Sequence, residues 1–201
     1  MLTGAAARSA APCAFSEEEN AVNERIDVSH VTLRTERLML RPWAWTDLAD
    51  FYEYASVDGV GQMAGWLPHQ SIEESRMVLG MFIEGKKTFA IEHEGKVIGS
   101  LGVEEYDEEK LPEFADKRGR ELGFVLAKPY WGRGLMPEAV QAVIRYLFDE
   151  VGLDFLVCCH FTDNAQSCRV QEKCGFQHCK LIQSETRYGL VKDAWMSILE
   201  K

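Results

Sequence analysis

The most constraining feature of the sequence is an apolar strand that passes through a glycine turn into an amphipathic helix. Residues Glu121 to Leu126 are mostly apolar, as in a strand at the centre of a sheet, and Trp131-Gly132-Arg133-Gly134 follows. Helical spacing of apolar residues then continues to about Glu150, and a second apolar strand runs from Phe155 to His160. This β-α-β unit predicts an α/β protein.

The flanking segments predict antiparallel strands and further helices. A strand ends at Arg41-Pro42, and the later strands are an 88–103 hairpin with its turn at Gly95 and two closing strands over about 176–184 and 188–199. The predicted helices are one capped at Thr46-Asp47, one opened by Ser71 and running to about Glu84, and one from Ala165 to Lys173. We therefore predict a mixed, mostly antiparallel sheet of about seven strands with about four flanking helices.

The first 30 residues differ from the rest of the chain in composition. They are small and acidic residues without the sustained apolar period of a core, so we predict an N-terminal extension over 1–30 and one domain over 31–201. A short helix from about Glu17 to Arg25, with Ser16 as its cap, is an alternative for part of the extension.

Charge and hydropathy exclude several partners. The 22 Lys and Arg against 32 Asp and Glu give a formal net charge of -10, which disfavours nucleic acid. No apolar run approaches the roughly 20 residues that span a bilayer, so no membrane association is expected. Without a secretory signal, we expect a cytoplasmic protein with reduced thiols.

The cysteines do not follow a metal-binding spacing. Cys158, Cys159, Cys168, Cys174 and Cys179 lie close to two histidines in the sequence, but none of them forms a Cys-x-x-Cys pair. Adjacent cysteines on a strand point to opposite faces of the sheet. We therefore predict no metal site and interpret the cysteines as small buried side chains.

The glycine turn is suited to binding an anion. Free N–H groups and the positive end of the helix dipole converge where a helix begins, and glycines at 132 and 134 let a ligand approach the backbone closely. Arg133 adds a cation, and Pro137 suits a first helical turn. A Walker loop would need Lys-Ser or Lys-Thr after the last glycine, and a Rossmann turn would need a third glycine where this chain has Pro137. We therefore predict that this turn binds a pyrophosphate group and that its ligand is neither a nucleoside triphosphate nor NAD.

Three blocks of sequence resemble a known family. Residues 126–139 resemble the coenzyme A motif of GNAT acetyltransferases, and Asn164 to Phe176 resembles a second motif of the Rim-type branch, which acetylates ribosomal-protein N-termini. Leu33 to Pro42 is also similar to that branch. Two positions depart from the wider GNAT consensus: Trp131, which is usual in the Rim-type branch, and Met136, whose long side chain must point into the core.

This resemblance implies a GNAT fold, with the sheet splayed at its middle, and acetyl-CoA as cosubstrate. Acetyl would pass directly to a primary amine, which the resemblance implies is a protein N-terminal α-amine, without a cysteine nucleophile or a metal. A small-molecule amine and a non-catalytic coenzyme-A-binding module are the alternatives, and the protein is a monomer or a homodimer. The residues implied in coenzyme binding are Phe124, Val125, Leu126, Trp131, Gly132, Arg133, Gly134, Leu135, Met136, Asn164, Ser167 and Lys173.

The catalytic candidates are two carboxylates and one hydroxyl. An amine attacks only when neutral, and an α-amine with a pKa near 8 is about 10% neutral at pH 7. Glu121 and Glu104 are our candidate bases by their placement at strand ends, although both could be surface carboxylates. The resemblance implies that Ser167 protonates the departing thiolate. Asn164 and Ser167 could instead serve only to cap a helix.

Overall fold

The computed structural model describes residues 25–201 of the chain. Among these residues, no helix is both long enough and apolar enough to cross a bilayer. The strands and helices follow in the order β1 (Leu33–Arg34), β2 (Met39–Pro42), α1 (Leu48–Ala55), α2 (Ile72–Gly85), β3 (Thr88–His93), β4 (Lys96–Glu104), β5 (Gly119–Leu126), α3 (Leu135–Arg145), β6 (Phe155–Phe161), α4 (Ala165–Lys173), β7 (Gln177–Glu185) and β8 (Val191–Glu200).

The eight strands form one sheet in the order β1-β2-β3-β4-β5-β6-β8-β7. Every neighbouring pair is antiparallel except β5 and β6, which are parallel across the α3 crossover. The predicted mixed, mostly antiparallel sheet with four flanking helices is therefore confirmed. The sheet has one strand more than the predicted seven because the first strand is interrupted by a turn, in which the N–H of Thr35 donates to the carbonyl of Leu38 at 2.9 Å.

The sheet opens between its two parallel strands. β5 and β6 share only three register pairs, from Gly119 with Phe155 to Glu121 with Val157. β5 nevertheless stays paired with β4 as far as Leu126, which lies opposite Gly99. Residues 122–126 therefore have a strand neighbour on one side and a gap on the other.

Apolar side chains pack on both faces of the sheet. One cluster joins β5 and β6 to α3 through residues such as Leu122, Val143 and Leu156. On the opposite face, α1 and α2 pack through Phe51 and Leu79. A third cluster fills the space beneath the β4–β5 connection, with Tyr106, Leu111, Phe155, Val157 and Met196 as its buried members.

The packed part of the chain begins before the first strand. Val28, which the sequence analysis assigned to the extension, is only 1% exposed and belongs to the α3 cluster. The helix predicted from about 17 to 25 lies outside the described residues except for Arg25, whose guanidinium donates to the carbonyl of Gly85 at 2.6 Å.

Two helix boundaries show how side chains determine where helices begin. Ser71 caps α2 as predicted, because its hydroxyl accepts the N–H of Glu74 at 3.2 Å. Asp47 occupies the predicted N-cap position of α1, but its carboxylate makes no capping hydrogen bond to that helix. It accepts instead from the guanidinium of Arg41 at 2.8 and 2.9 Å and from the N–H of Ala44 at 2.8 Å. α1 consequently starts at Leu48, after a single 3-10 turn.

We expect Gly119→Ala to destabilise the fold by about 1–3 kcal/mol, the cost of overpacking a filled core. A Cβ at residue 119 would lie 2.2 Å from the buried ring of Phe155. Gly123→Ala is the matched control in the same strand, since a Cβ there has no neighbour within 4 Å. Thermal unfolding should show a lower Tm for the first variant alone, and equal Tm values would contradict this packing.

Candidate active site

A cavity of about 520 Å³ occupies the gap between the diverging halves of β5 and β6. The α1–α2 connection, the turn after β5, the start of α3, one face of α4 and two residues of β7 and β8 complete its walls. Eleven of the twelve residues predicted to bind the coenzyme line this cavity; only Arg133 does not. The structure therefore brings together residues from two separate sequence blocks.

The turn between β5 and α3 presents a row of backbone donors. Gly132 and Gly134 have φ values of 74° and 77°, in the left-handed region that favours glycine. Within residues 25–201, no group accepts a hydrogen bond from the N–H groups of residues 132–136. Pro137, in the first turn of α3, has no N–H to satisfy. These free donors lie at the positive end of the helix dipole, where an anion is stabilised.

A salt bridge from the β1–β2 turn holds this donor row in place. Arg37 contacts the carboxylate of Glu138, in the first turn of α3, at 2.6 Å, and its guanidinium also donates to the carbonyl of Arg133 at 3.0 Å. The hydroxyl of Thr35 donates to the same carboxylate at 2.5 Å. Burial alone would raise the pKa of Glu138, but the hydrogen bonds from Thr35 and Arg37 outweigh it and lower that pKa.

The free edge of β5 offers peptide groups to the cavity. Because the N–H of Ala127 donates to the carbonyl of Ile98, alternation along the antiparallel pair directs the N–H of Val125 toward β4. The groups that face the gap belong to residues 122, 124 and 126. The carbonyl of Leu122 accepts from the thiol of Cys158 at 3.2 Å, and that of Leu126 accepts from the indole of Trp131 at 2.6 Å.

That leaves the peptide group of Phe124 directed into the cavity. An N–H near Val125 was the predicted donor to the thioester carbonyl. Because the N–H of Val125 itself faces β4, only a neighbouring residue could supply that donor.

The two candidate bases occupy different environments, although Glu121 and Glu104 lie opposite each other in the β4–β5 register. Glu121 lines the cavity, and burial raises the pKa of its carboxyl, as do the nearby carboxylates of Glu104 and Asp107. Glu104 lies outside the cavity lining and forms a salt bridge with Lys87 at 2.5 Å. Only Glu121 is therefore placed to contact a reactant in the cavity.

The first turn of α4 places a hydroxyl in the cavity wall. The side chain of Asn164 accepts the N–H of Ser167 at 3.1 Å, so the predicted cap is present, and its amide donates to the carbonyl of Met63 at 3.2 Å. The hydroxyl of Ser167 accepts from the amide of Gln171 at 3.5 Å, and the oxygen of that amide lies 3.0 Å from Nδ1 of His160. Gln171 is 1% exposed.

Two cations of α4 also reach the cavity. Arg169 and Lys173 lie four residues apart on one helix face, and both line the cavity. Arg133, predicted to contact the pyrophosphate, is exposed, and its guanidinium lies over the ring of Tyr130 at 5.4 Å from the ring centroid. Met136 is 5% exposed and points into the core, as predicted.

Comparison with known proteins identifies the family. Residues 37–177 match the family described as "Acetyltransferase (GNAT) domain". The chain belongs to the GNAT acetyltransferase family. This acetyltransferase is 28% identical over 179 residues to the uncharacterized N-acetyltransferase p20 of Bacillus licheniformis. The matched region covers 85% of this chain and 96% of p20.

Solved structures share the fold of the acetyltransferase. A GNAT acetyltransferase from Bacillus anthracis superposes with a TM-score of 0.73 at 22% identity, over 85% of this chain and 98% of the other. The microcin C7 self-immunity acetyltransferase MccE, solved in complex with acetyl-CoA and AMP, gives a TM-score of 0.69 at 16% identity over 83% and 94% of the two chains. GNAT acetyltransferases use acetyl-CoA as the acetyl donor.

Several residues of the acetyltransferase site were not predicted. Arg37 and Glu138 are far apart in sequence, and the only sign of their pairing was the resemblance of 33–42 to the Rim-type branch. Gln166 and Arg169 share a helical spacing with Val170 and Lys173, which could have identified this face of α4. Gln171 had no recognisable signal, because its role depends on the strand behind α4.

The aromatic candidates for an acceptor channel belong mainly to the packing of the acetyltransferase. Trp66 packs against the α1–α2 cluster, and buried His69 contacts the hydroxyl of Ser75 at 2.7 Å. Trp195 stacks on His178 at 4.9 Å, and Tyr188 lies in the β7–β8 turn. None of these four side chains lines the cavity.

We expect Glu138→Gln to lower stability by about 1 kcal/mol and Tm by about 2–4 °C. The loss is modest because the Arg37 side chain is 41% exposed and water screens the pair. Because the pKa of Glu138 is lowered in the folded state, the carboxylate contributes to the free energy of unfolding at neutral pH. This contribution is lost as the pH falls below about 4.3, the ordinary pKa of a glutamate, and through the lower pKa of the folded state. The Tm values of the wild type and the variant should therefore converge in acid.

The same substitution tests the donor row. With the turn less firmly held, we expect Glu138→Gln to raise the Kd for coenzyme A about fivefold, equivalent to about 1 kcal/mol. Glu84→Gln, which changes an exposed carboxylate at the end of α2, is the control. Isothermal titration gives both values, and an unchanged Kd in Glu138→Gln would remove Arg37 and Glu138 from the support of the turn.

Proposed function

We propose that this protein transfers acetyl from acetyl-CoA to a protein N-terminal α-amine by direct attack within a ternary complex. The observation that carries the proposal is the gap beside Phe124, which places free peptide groups, a half-buried carboxylate and a hydroxyl around one cavity. An amine and a thioester could meet there without a covalent enzyme intermediate. No thiol is assigned a catalytic role.

Coenzyme A would lie across the cavity with its diphosphate at the start of α3. The N–H groups of residues 132–136 are suited to the diphosphate oxygens, and Arg169 and Lys173 would contribute positive charge on the opposite wall. The pantetheine arm carries amides, which can pair with the peptide group of Phe124 as an extra strand would. This extended position directs the thioester toward Glu121 and Ser167.

Glu121 is suited to accept the proton of the attacking amine. Burial favours its neutral form, so the pKa of the carboxyl is raised and the carboxylate is a stronger base than one in water. An α-amine needs less help than a lysine, because about 10% of it is already neutral at pH 7, against well under 0.1% for lysine. This difference favours an N-terminal amine as acceptor.

Ser167 is suited to protonate the departing thiolate. Its hydroxyl oxygen accepts a hydrogen bond from Gln171, which leaves the hydroxyl proton available to donate toward the cavity. Gln171 is itself oriented by His160, whose Nδ1 lies 3.0 Å from the amide oxygen. Gln171 is therefore a positioning residue behind Ser167.

The shape of the acceptor side also favours a small, uncharged N-terminal residue. Glu121 is the charged group on this side of the cavity. The other side chains that border it, from the α1–α2 connection and the last two strands, are apolar or small: Val60, Met63, Ala64, Ser184 and Ala194. The motif around Asn164 to Phe176, which resembles the Rim-type branch, supports a ribosomal-protein N-terminus as the acceptor.

Glu121→Gln should lower kcat about 100-fold, within the usual range for loss of a general base, with little change in the Kd for acetyl-CoA. The acidic limb of the kcat profile, set by ionisation of a carboxyl with a raised pKa, should disappear in this variant. Glu104→Gln changes the residue opposite Glu121 in the register and should stay within about twofold of wild type. Equal losses in both variants would mean that the effect is not one of proton transfer in the cavity.

Ser167→Ala should lower kcat by about 10- to 100-fold while the Kd for acetyl-CoA stays within about twofold, because the lost interaction forms only in the transition state. Ser167→Thr keeps a hydroxyl at the same position and should recover part of the rate. Gln171→Leu should give a smaller loss of kcat, also without weaker coenzyme binding. A full rate in Ser167→Ala would remove the hydroxyl from the mechanism.

The acceptor is tested by measuring thiol release from acetyl-CoA with two matched panels. One panel contains short peptides that differ only in their N-terminal residue, each paired with its N-terminally blocked form that retains an internal lysine. The other contains small-molecule primary amines. We expect turnover only with free N-terminal peptides, and fastest with small uncharged first residues. Turnover with the small amines alone would favour that acceptor class, and coenzyme binding without any turnover would indicate a non-catalytic module.

A further inference from the structure

Behind the cavity, three side chains with metal-binding atoms converge from separate elements. His160 of β6, Cys168 of α4 and His178 of β7 place one ligand atom each within 4.8 Å of one another. Sγ of Cys168 lies 3.9 Å from Nε2 of His178. We propose that these three residues bind one divalent transition-metal ion, and that Zn²⁺ is the ion they fit best.

The distances are close to those of a tetrahedral site. Bonds of about 2.3 Å to sulfur and about 2.0 Å to nitrogen place two nitrogens of a tetrahedral zinc site about 3.3 Å apart and a sulfur and a nitrogen about 3.5 Å apart. The Cys168–His178 distance of 3.9 Å is already near that spacing. Cys168 is half-buried and His178 is exposed, so small side-chain rotations can close the remaining distance without disturbing the core. One thiolate and two imidazoles suit Zn²⁺ better than Mg²⁺ or Ca²⁺, which prefer oxygen ligands.

His160 is already oriented as a metal ligand. Its Nδ1 lies 3.0 Å from the amide oxygen of Gln171, an acceptor, so Nδ1 carries the proton and Nε2 keeps its lone pair. A hydrogen bond from the non-coordinating nitrogen is how metal-bound histidines are usually held. The ring of His178 is fixed in turn by stacking on Trp195, with an interplanar angle of 9°.

Glu172 could complete the site by a side-chain rotation, since it lies close to Cys168 but outside the group of three. It lies four residues after Cys168 on α4, and its carboxylate is 3.6 Å from the thiol. On binding, the Cys168 thiol would release its proton to solvent and the thiolate would bind the metal. A thiolate and a carboxylate then balance the charge of a divalent ion. Cys168 and His178 do not line the coenzyme cavity, whereas His160 does. Metal binding by these three residues requires neither coenzyme nor acetyl transfer, so it can be tested separately from the proposed function.

The three ligands had no recognisable spacing in the sequence, because they are separated by eight and ten residues and come from three elements. Cys158 and Cys159 do point to opposite faces, as predicted, with Cys158 in the α3 cluster and Cys159 beside the third cluster. The interpretation of these cysteines as buried side chains is correct for Cys158 and wrong for Cys179, which is exposed, while Cys159, Cys168 and Cys174 are half-buried.

Cobalt substitution tests the site directly. The full chain, freed of metal with a chelator and kept reduced, is titrated with CoCl₂ and followed in the visible and near-ultraviolet. We expect one equivalent to give the intense visible bands of tetrahedral Co²⁺ and a near-ultraviolet sulfur-to-metal band, both displaced by ZnCl₂. Cys168→Ser should lose the sulfur band, whereas Cys179→Ser, which changes the exposed neighbour of His178, should keep it.

Thermal unfolding with ZnCl₂ gives a second readout that does not depend on spectra. At about 100 times its Kd, Zn²⁺ should raise the Tm of the wild type and Cys179→Ser by about 5–10 °C. His178→Asn changes an exposed side chain and should fold normally, but its Zn²⁺ affinity should fall by about 100-fold or more. No tetrahedral cobalt spectrum in the wild type, or the same spectrum and Tm rise in Cys168→Ser and His178→Asn, would overturn the proposal.

Discussion

The site depends on the separation of two parallel strands after only three register pairs. Up to Glu121, β5 is held by β6 on one side and by β4 on the other, and beyond that point only β4 holds it. The energy that keeps the gap open comes from packing on either side of it: Leu122 and Leu126 are anchored against α3, and Leu156 and Cys158 against the same cluster. A rigid sheet with one unpaired edge is a suitable template for an extended ligand that carries amides.

The chemistry of the site follows from what surrounds that edge. The backbone donors of the turn after β5 are held from outside by Arg37 and Glu138, so the proposed anion site needs no rearrangement to accept a ligand. α4 presents different side chains on two of its faces. Ser167 and Lys173 face the cavity, whereas Cys168 and Glu172 face β7. Gln171, buried between these faces, connects the cavity wall to His160.

The strand-turn-helix unit could be predicted from sequence because its signals are local. Glycines that need positive φ, an apolar strand and a helical period all lie within about 30 residues of one another. The cap of α2 is local too, and Ser71 was correctly predicted. The start of α1 after Asp47 was also predicted, but the partners of its carboxylate were not, because they are Arg41 and the N–H of Ala44 rather than the helix that follows.

The tertiary features had no local signal in the sequence. Of the two strand-end glutamates, Glu121 lies on β5, which borders the gap, whereas Glu104 lies one strand away on β4, and the strand order that separates them has no local signal. The direction of each peptide group on β5 depends on its register with β4, which a single strand does not encode. The convergence of His160, Cys168 and His178 likewise requires the crossover of α4 and the order of β6, β8 and β7.

The most direct test of the account is a crystal structure of the protein with coenzyme A. We expect the diphosphate oxygens to lie within hydrogen-bonding distance of the N–H groups of residues 132–136. A pantetheine amide should pair with the peptide group of Phe124, and the sulfur should lie between Glu121 and Ser167. Coenzyme bound elsewhere on the surface, or β5 and β6 closed together with the pantetheine outside them, would contradict it.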